Sequence, residues 1–234
     1  MEPLSNIELF YSEKISEKEI LLVDEEFHHC ANVFRKKINQ EIFVTDGLGC
    51  IYRAKIIRIK NNVLTSEIID KIFIETYNEN LILCIPLLKN KERFRFAIEK
   101  SIEMGITKFI FFISERTVVN KFDDIKVKKI MIETIKQSLR SYLPRFKFLK
   151  SFKSLKEEIK ENDSVFIFDL SGDKFFSKDE LKTGINNYFI FGPEGGLSQN
   201  ELELLSDEYK NVYKLSNHRL RTETAIVKLV SIIT

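Results

Sequence analysis

The chain has 234 residues, enough for one large domain or two small ones, and at 44% hydrophobic and 12% aromatic it can bury a core, which excludes disordered and fibrous classes. Charged residues reach 31% against a usual figure of about 25%, yet the formal net charge is only +2, too balanced for a wholly basic binder. The longest apolar run, LILCIPLL at 81–88, falls far short of the roughly 18 residues that span a bilayer; MEPLSNIELFYSEK carries early acids and no leader pattern; and Cys30, Cys50 and Cys84 form no CxxC pair, against a disulfide framework or a cysteine zinc site.

The first 75 or so residues read as mainly β. DEEFHHCANVFRKK has helical spacing, with Phe27, Ala31 and Phe34 on one face and Asp24 as N-cap. EIFVTDGLGCIYRAKIIRI forms two strands around a turn at Gly47 and Gly49, and VLTSEIIDKIFIE is a further extended run. A boundary is expected near residues 74–80, and from 81 onward the rhythm changes. LILCIPLL is a buried strand, KERFRFAIEKSIEMG a helix ended by Gly105, and KFIFFIS a strand. DDIKVKKIMIETIKQSLR is a helix with Ile125, Ile132, Ile135 and Leu139 along one side. FKFLK, SVFIFDL and YFIFG are strands, with SFKSLKEEIKE helical between the first two. SQNELELLSDEY is a helix with a capping box of Ser198 and Glu201, NVYKL a last strand, and TETAIVKLVSII the C-terminal helix. Strands alternating with helices predict an α/β domain with a parallel sheet covered on both faces.

Charge is spread unevenly. Residues 1–80 carry 10 Lys and Arg against 14 Asp and Glu, residues 81–160 carry 19 against 9, residues 161–210 carry 4 against 11, and the last 24 residues carry 4 against 1. A strongly basic middle between acidic flanks points to a face for a polyanion. Amphipathic helices with solvated lysines explain part of it, but not an excess of this size.

Three segments concentrate unusual residues. Three of the 8 glycines fall in FGPEGGLS at 191–198, where a strand ends and a helix begins, the place where parallel sheets bind ligands and where glycines let the backbone approach them. No GK[ST] follows, so this is not a phosphate-binding P-loop, and Gly47-x-Gly49 lacks a third glycine. LSNHRLRTETA at 215–225 leads a strand into a helix through Arg219, Arg221 and Glu223, with Thr222 placed to cap that helix. FHHCANVFR at 27–35 holds two of the three histidines without the further ligands a metal site needs, leaving a structural and a functional reading open. No GxSxG elbow is present.

GPEGGLSQNE, LRTETA at 220–225 and HHCANVFR at 28–35 together resemble the ribosomal small subunit methyltransferase E family of the SPOUT superfamily. Glu99-Lys100-x-x-Glu103-x-Gly105, Ser114-Glu-Arg-Thr-Val-Val119 and Glu133-x-x-x-Gln137-Ser138-x-Arg140 extend the match in the family's order from about residue 27 to 225. The loop before LRTETA departs from the family at Ser216-Asn-His-Arg219, so no role carries over to His218 or Arg219, whereas Arg221 matches. The resemblance implies a PUA-like β-barrel over residues 1–75 that docks RNA, and a SPOUT methyltransferase domain over 76–234 whose last helix threads a loop into a trefoil knot, a topology no periodicity reveals. It further implies a cytoplasmic homodimer, no membrane association, and S-adenosylmethionine-dependent methylation of N3 of a uridine in small-subunit ribosomal RNA, free or in the assembled subunit.

On that reading Pro86, Leu87, residues Gly192, Pro193, Glu194, Gly195, Gly196 and Leu197, and Leu215, Leu220, Thr222 and Glu223 form the cofactor site, with Leu87, Leu197, Leu215 and Leu220 as its apolar walls. Uracil N3 must lose its proton, so a cation should stabilise the imide anion that develops; Arg221, Arg116 and Arg140 are the candidates, and Glu223 orients an arginine or caps its helix. No residue stands out as a general base. His29, Arg35, Arg93, Arg116 and Arg140 are assigned to RNA, and no metal is expected. The target uridine is unpaired or flipped out, since pairing hides N3. The alternatives are a non-catalytic ribosome-associated RNA binder and a SPOUT enzyme acting on transfer RNA.

Overall fold

A computed structural model describes residues 7–75, 78–209 and 212–234, and the chain divides into two compact units, Met1–Tyr77 with Met131–Leu143, and Asn78–Ile130 with Pro144–Thr234. The expected leader-free start, MEPLSN, residues 76 and 77 within the expected boundary, and Asn211 at the start of NVYKL lie outside the described residues.

The first unit contains β1 (Leu9–Tyr11), β2 (Glu19–Leu22), α1 (Asp24–His28), β3 (Glu41–Thr45), β4 (Cys50–Lys60) and β5 (Val63–Phe73), in a five-stranded sheet ordered β1-β3-β4-β5-β2. Alternation along β3 to β5 turns Ile42, Val44, Ala54, Ile56 and Leu64 inward, where they pack with Phe10, Ile20, Leu22 and Cys30. The strands β1 and β2 were not read from the sequence. HHCANVFR behaves differently from the expected helix. After α1 the chain widens into a π-helical turn, His29–Val33, and the changed period buries Cys30 while Phe34 stays exposed. Asp24 is not a side-chain cap; it takes a positive φ of 48° and Val23 precedes the helix without a capping bond.

The second unit contains β6 (Leu81–Pro86), α2 (Lys91–Glu103), β7 (Lys108–Phe112), β8 (Arg145–Leu149), α4 (Phe152–Glu158), β9 (Ser164–Phe168), β10 (Lys174–Phe175), β11 (Asn187–Phe191), α5 (Gln199–Tyr209), β12 (Val212–Lys214) and α6 (Thr222–Ile233); α3 (Asp124–Gln137) contains the division between the units. Its seven strands are ordered β10-β12-β9-β11-β6-β7-β8 and every pairing is parallel, as the alternation of strands and helices predicts. β6, β9 and β11 are buried on both faces, which is why they read as unbroken apolar runs. Phenylalanine rings stack on one another within the unit: Phe166 on Phe189 at 5.4 Å and Phe122 on Phe148 at 4.4 Å.

Local signals explain the helix ends. Asn90 caps α2 by accepting from the amides of Glu92 and Arg93, and Gly105 follows it at φ 100°. Ser198 and Glu201 form the expected capping box, Glu201 N donating to Ser198 Oγ at 3.1 Å and Ser198 N to Glu201 Oε2 at 2.9 Å. The stripe expected along α3 differs: its buried side is Val127, Ile130, Met131, Thr134 and Ile135, and Ile125 is 80% exposed. In α6 Ile226, Leu229 and Ile233 are buried. No helix among the described residues is long and apolar enough to cross a membrane.

Candidate cofactor and substrate site

In the second unit β12, β9 and β11 are neighbours, and the segments that leave their carboxyl ends enclose a cavity of about 750 Å³. Its walls are residues 168–171 after β9, 191–197 after β11, and β12 with the chain that follows it into α6. Parallel sheets place ligand sites at these ends because the crossover helices cover the faces and leave the strand-end loops free to converge.

The glycine-rich loop is held by backbone geometry and by its neighbours. Gly196 N donates to Pro193 O at 2.8 Å, closing a turn, and Gly196 has φ +74°, a conformation that favours glycine. Gly192 is needed for space: a Cβ there would lie 2.7 Å from Leu197 N and 2.9 Å from Gly196 C, both backbone atoms. At Gly195 a Cβ would meet only the Arg116 side chain, at 3.4 Å. Four contacts from outside hold the loop. Arg116 Nη1 donates to Gly195 O at 2.9 Å, Arg219 Nη2 to Glu194 O at 3.1 Å, Lys89 N to Glu194 Oε1 at 2.9 Å, and Thr222 Oγ1 to Gly192 O at 3.0 Å. The Thr222 hydroxyl therefore does not cap α6. Arg221 occupies the N-cap position, with extended backbone and no side-chain bond to the helix.

The lining is both apolar and strongly basic. Leu197, Leu215 and Leu220 face it together with Arg93, Arg116, Lys214, Arg219 and Arg221, against the acids Asp169 and Glu194. Asp169 accepts from Ser171 N and Ser171 Oγ and its amide donates to Tyr213 O, which fixes the wall after β9. Gly172 lets that wall press on β12, since a Cβ would meet Tyr213 C at 2.7 Å. Burial, and then the hydrogen bond its hydroxyl donates to Glu180, push the Tyr213 phenol above its ordinary range, so it stays protonated. Glu223, nearly buried in the first turn of α6, lies 3.5 Å from Arg93 Nε. Arg221 is exposed, and among the described residues its guanidinium has no hydrogen bond or ion pair.

Of the residues singled out in the sequence, Gly192 through Leu197, Leu215, Leu220, Arg221 and Thr222 converge on this cavity with Arg93 and Arg116. Pro86, Leu87 and Glu223 do not line it; Glu223 turns to Arg93, while Pro86 ends β6 and Leu87 follows it in the core, its N–H donating to Phe112 O at 2.9 Å. His29, Arg35 and Arg140 belong to the first unit. There His29 packs edge-on to Phe34 at 5.2 Å with Nδ1 3.4 Å from Lys136 Nζ, and exposed Arg35 has φ 54°. Asp169 and Arg219 were missed as site residues. A lone Asp after a strand is unremarkable in sequence, and Arg219 lies in the one loop that departs from the family pattern. No group of histidines, cysteines and acids suited to a metal occurs among the described residues.

A family model described as an RNA methyltransferase domain matches residues 75–234, and one described as an RNA methyltransferase PUA domain matches residues 22–69. The parallel sheet with its strand-end cavity is thus that of an RNA methyltransferase domain. The chain is 30% identical to Ribosomal RNA small subunit methyltransferase E of Bacillus subtilis, over 91% of this chain and 88% of that protein, and 27% identical to the protein of that name from Aquifex aeolicus, over 96% and 98%. The fold is shared with the crystal structure of a Ribosomal RNA small subunit methyltransferase E from Neisseria gonorrhoeae bound to S-adenosyl methionine, with a TM-score of 0.85 at 23% identity over 97% of this chain and 96% of that one. The chain belongs to the ribosomal RNA small subunit methyltransferase E family.

Proposed function

We propose that the chain binds S-adenosylmethionine in the cavity at the ends of β9, β11 and β12 and methylates N3 of a uridine in small-subunit ribosomal RNA. The observation that carries the reading is the uncommitted guanidinium of Arg221 at a cavity whose glycine-rich loop is held by Arg116, Arg219 and Thr222. The residues fit the cofactor: leucines 197, 215 and 220 offer an apolar slot for a purine, the backbone around them offers donors and acceptors, and Asp169 offers a carboxylate to a cationic ligand. When bound, S-adenosylmethionine supplies an electrophilic methyl group.

The chain's own part is to bind, orient and balance charge. Arg116 and Arg219 hold the two carbonyls of the loop tip, so its backbone is set before a ligand arrives. Of the three candidate arginines, Arg221 is assigned to the acceptor: its guanidinium is free to stabilise negative charge on the uracil imide as the N3 proton leaves. The Arg116 guanidinium is already engaged, and Arg140 is not among the residues that line the cavity. Glu223 orients Arg93, which with Arg35 and His29 we assign to RNA contact.

The same reading takes residues 1–75 as a PUA-like barrel for RNA docking and 76–234 as the SPOUT domain. Family membership supports a C-terminal segment threaded into a trefoil knot. Family membership supports a homodimer working in the cytoplasm, which sedimentation at micromolar concentration tests. For the reaction, titration calorimetry with S-adenosylmethionine should show saturable binding, and mass spectrometry of ribosomal RNA from a deletion strain should show one methyluridine lost and restored by the wild-type gene. Intact methylation in that strain would overturn the assignment.

A further inference from the structure

Glu201 makes two long-range contacts that its capping role does not require. Its carboxylate is 3% exposed and accepts from Ser198 N, Ser114 Oγ and Glu115 N, each at 2.9 Å. A capping box needs only the first of these. The other two reach the turn after β7, 87 and 86 residues away in sequence. That turn is closed on itself: Ser114 N donates to Thr117 Oγ1 at 3.0 Å and Thr117 N to Ser114 O at 2.9 Å. Arg116 stands at its corner and donates to Gly195 O at 2.9 Å. A buried carboxylate with three donors is a rigid anchor, because losing any acceptor leaves a desolvated N–H or O–H unpaired.

We propose that Glu201 is a positioning residue for the cofactor loop: it clamps the Ser114–Thr117 turn so that Arg116 holds the Gly195 carbonyl and fixes the loop tip. This accounts for the serine, arginine and threonine of SERT and the glutamate of LSQNE as parts of one device. The effect on cofactor affinity rests on the proposed function; the effect on the loop does not.

Two measurements on the whole chain test it. Without cofactor, amide exchange at Gly196, whose N–H closes the turn to Pro193, should speed up in Glu201→Gln and in Arg116→Ala, and no further in the double variant. With S-adenosylmethionine, each single variant should bind roughly tenfold more weakly, and the double no worse than the weaker single. A purely structural Glu201 would instead give effects that multiply, or leave Gly196 exchange unchanged, and either result overturns the proposal. If Glu201→Gln does not fold, Ser114→Ala decides by the same exchange readout, since it removes one donor and keeps the cap; unchanged exchange there also overturns it. Wild-type protein that binds no S-adenosylmethionine overturns the functional reading, while the exchange result still decides the positioning role.

Discussion

Thr222 Oγ1 donates to the carbonyl of Gly192 at 3.0 Å, joining the first residue of α6 to the first glycine of the loop after β11. This bond ties the last segment of the chain to the glycine-rich turn at the point where the turn is tightest, and it leaves the start of α6 without a side-chain cap. The three glycines of GPEGG, alike as letters, are consequently unequal.

Gly192→Ala should be more damaging than Gly195→Ala. Its Cβ would press on the backbone of Leu197 and Gly196, which can move only by opening the turn, at a cost on the order of 1–3 kcal/mol. Gly195→Ala meets the flexible Arg116 side chain at 3.4 Å and should leave the melting temperature nearly unchanged. Thermal denaturation of both variants, with calorimetry for S-adenosylmethionine, checks the order; equal losses would contradict it.

Arg221→Ala should separate binding from chemistry. Its guanidinium engages no part of the loop, so cofactor affinity should stay within a factor of about two, less than half a kcal/mol. The single-turnover methylation rate should fall by about 2.7–4 kcal/mol in barrier, the loss typical of one donor to a developing anion. Abolished cofactor binding would make Arg221 a loop residue instead.

RNA affinity should fall steeply with salt, with a slope of about −0.7 per neutralised phosphate in log affinity against log salt for single strands. Arg35→Ala and Arg93→Ala should each make the slope shallower by about that amount, while charge reversal at the exposed Lys128 and Lys129 of α3 serves as a comparison. An unchanged slope in both arginine variants would remove them from the RNA face.

Alkaline pH should destabilise the fold through its thiols. Burial pushes the Cys30 thiol up to about 12 and the Cys84 thiol well above its ordinary 9, whereas in the unfolded chain both ionise near 9. Above that pH the unfolded state holds fewer protons than the folded one, so stability present below pH 9 is lost as pH rises toward 12, at up to about 1.4 kcal/mol per pH unit for each thiol. Tyr11, Tyr52 and Tyr188 are shifted upward by burial too and add to the loss above pH 10. Urea unfolding between pH 8 and about 9.5 isolates the thiols, and Cys84→Ala should flatten the dependence.

Local chemistry was enough to read β3, β4 and β5, the buried runs of β6, β7, β9 and β11, the glycine-rich loop, and the Ser198–Glu201 capping box, because period, turn residues and caps act within a few residues of themselves. Even the class of reaction was legible, from motifs whose order and spacing resemble one family. The short strands β1, β2 and β10 exist only through partners far along the chain, β1 lying parallel to β3 and β10 to β12, so no local pattern marks them. Two apolar stripes run along α3, and packing alone chose the one through Val127 and Met131 over the one through Ile125. The engagement of Arg116 and Arg219 on successive carbonyls, the burial of Glu201 against Ser114, and the freedom of Arg221 are equally invisible in sequence. Four arginines near one cavity are chemically alike as letters, and only the distances to Gly195, Glu194 and Glu223 decide which three are held and which one remains free to meet a substrate.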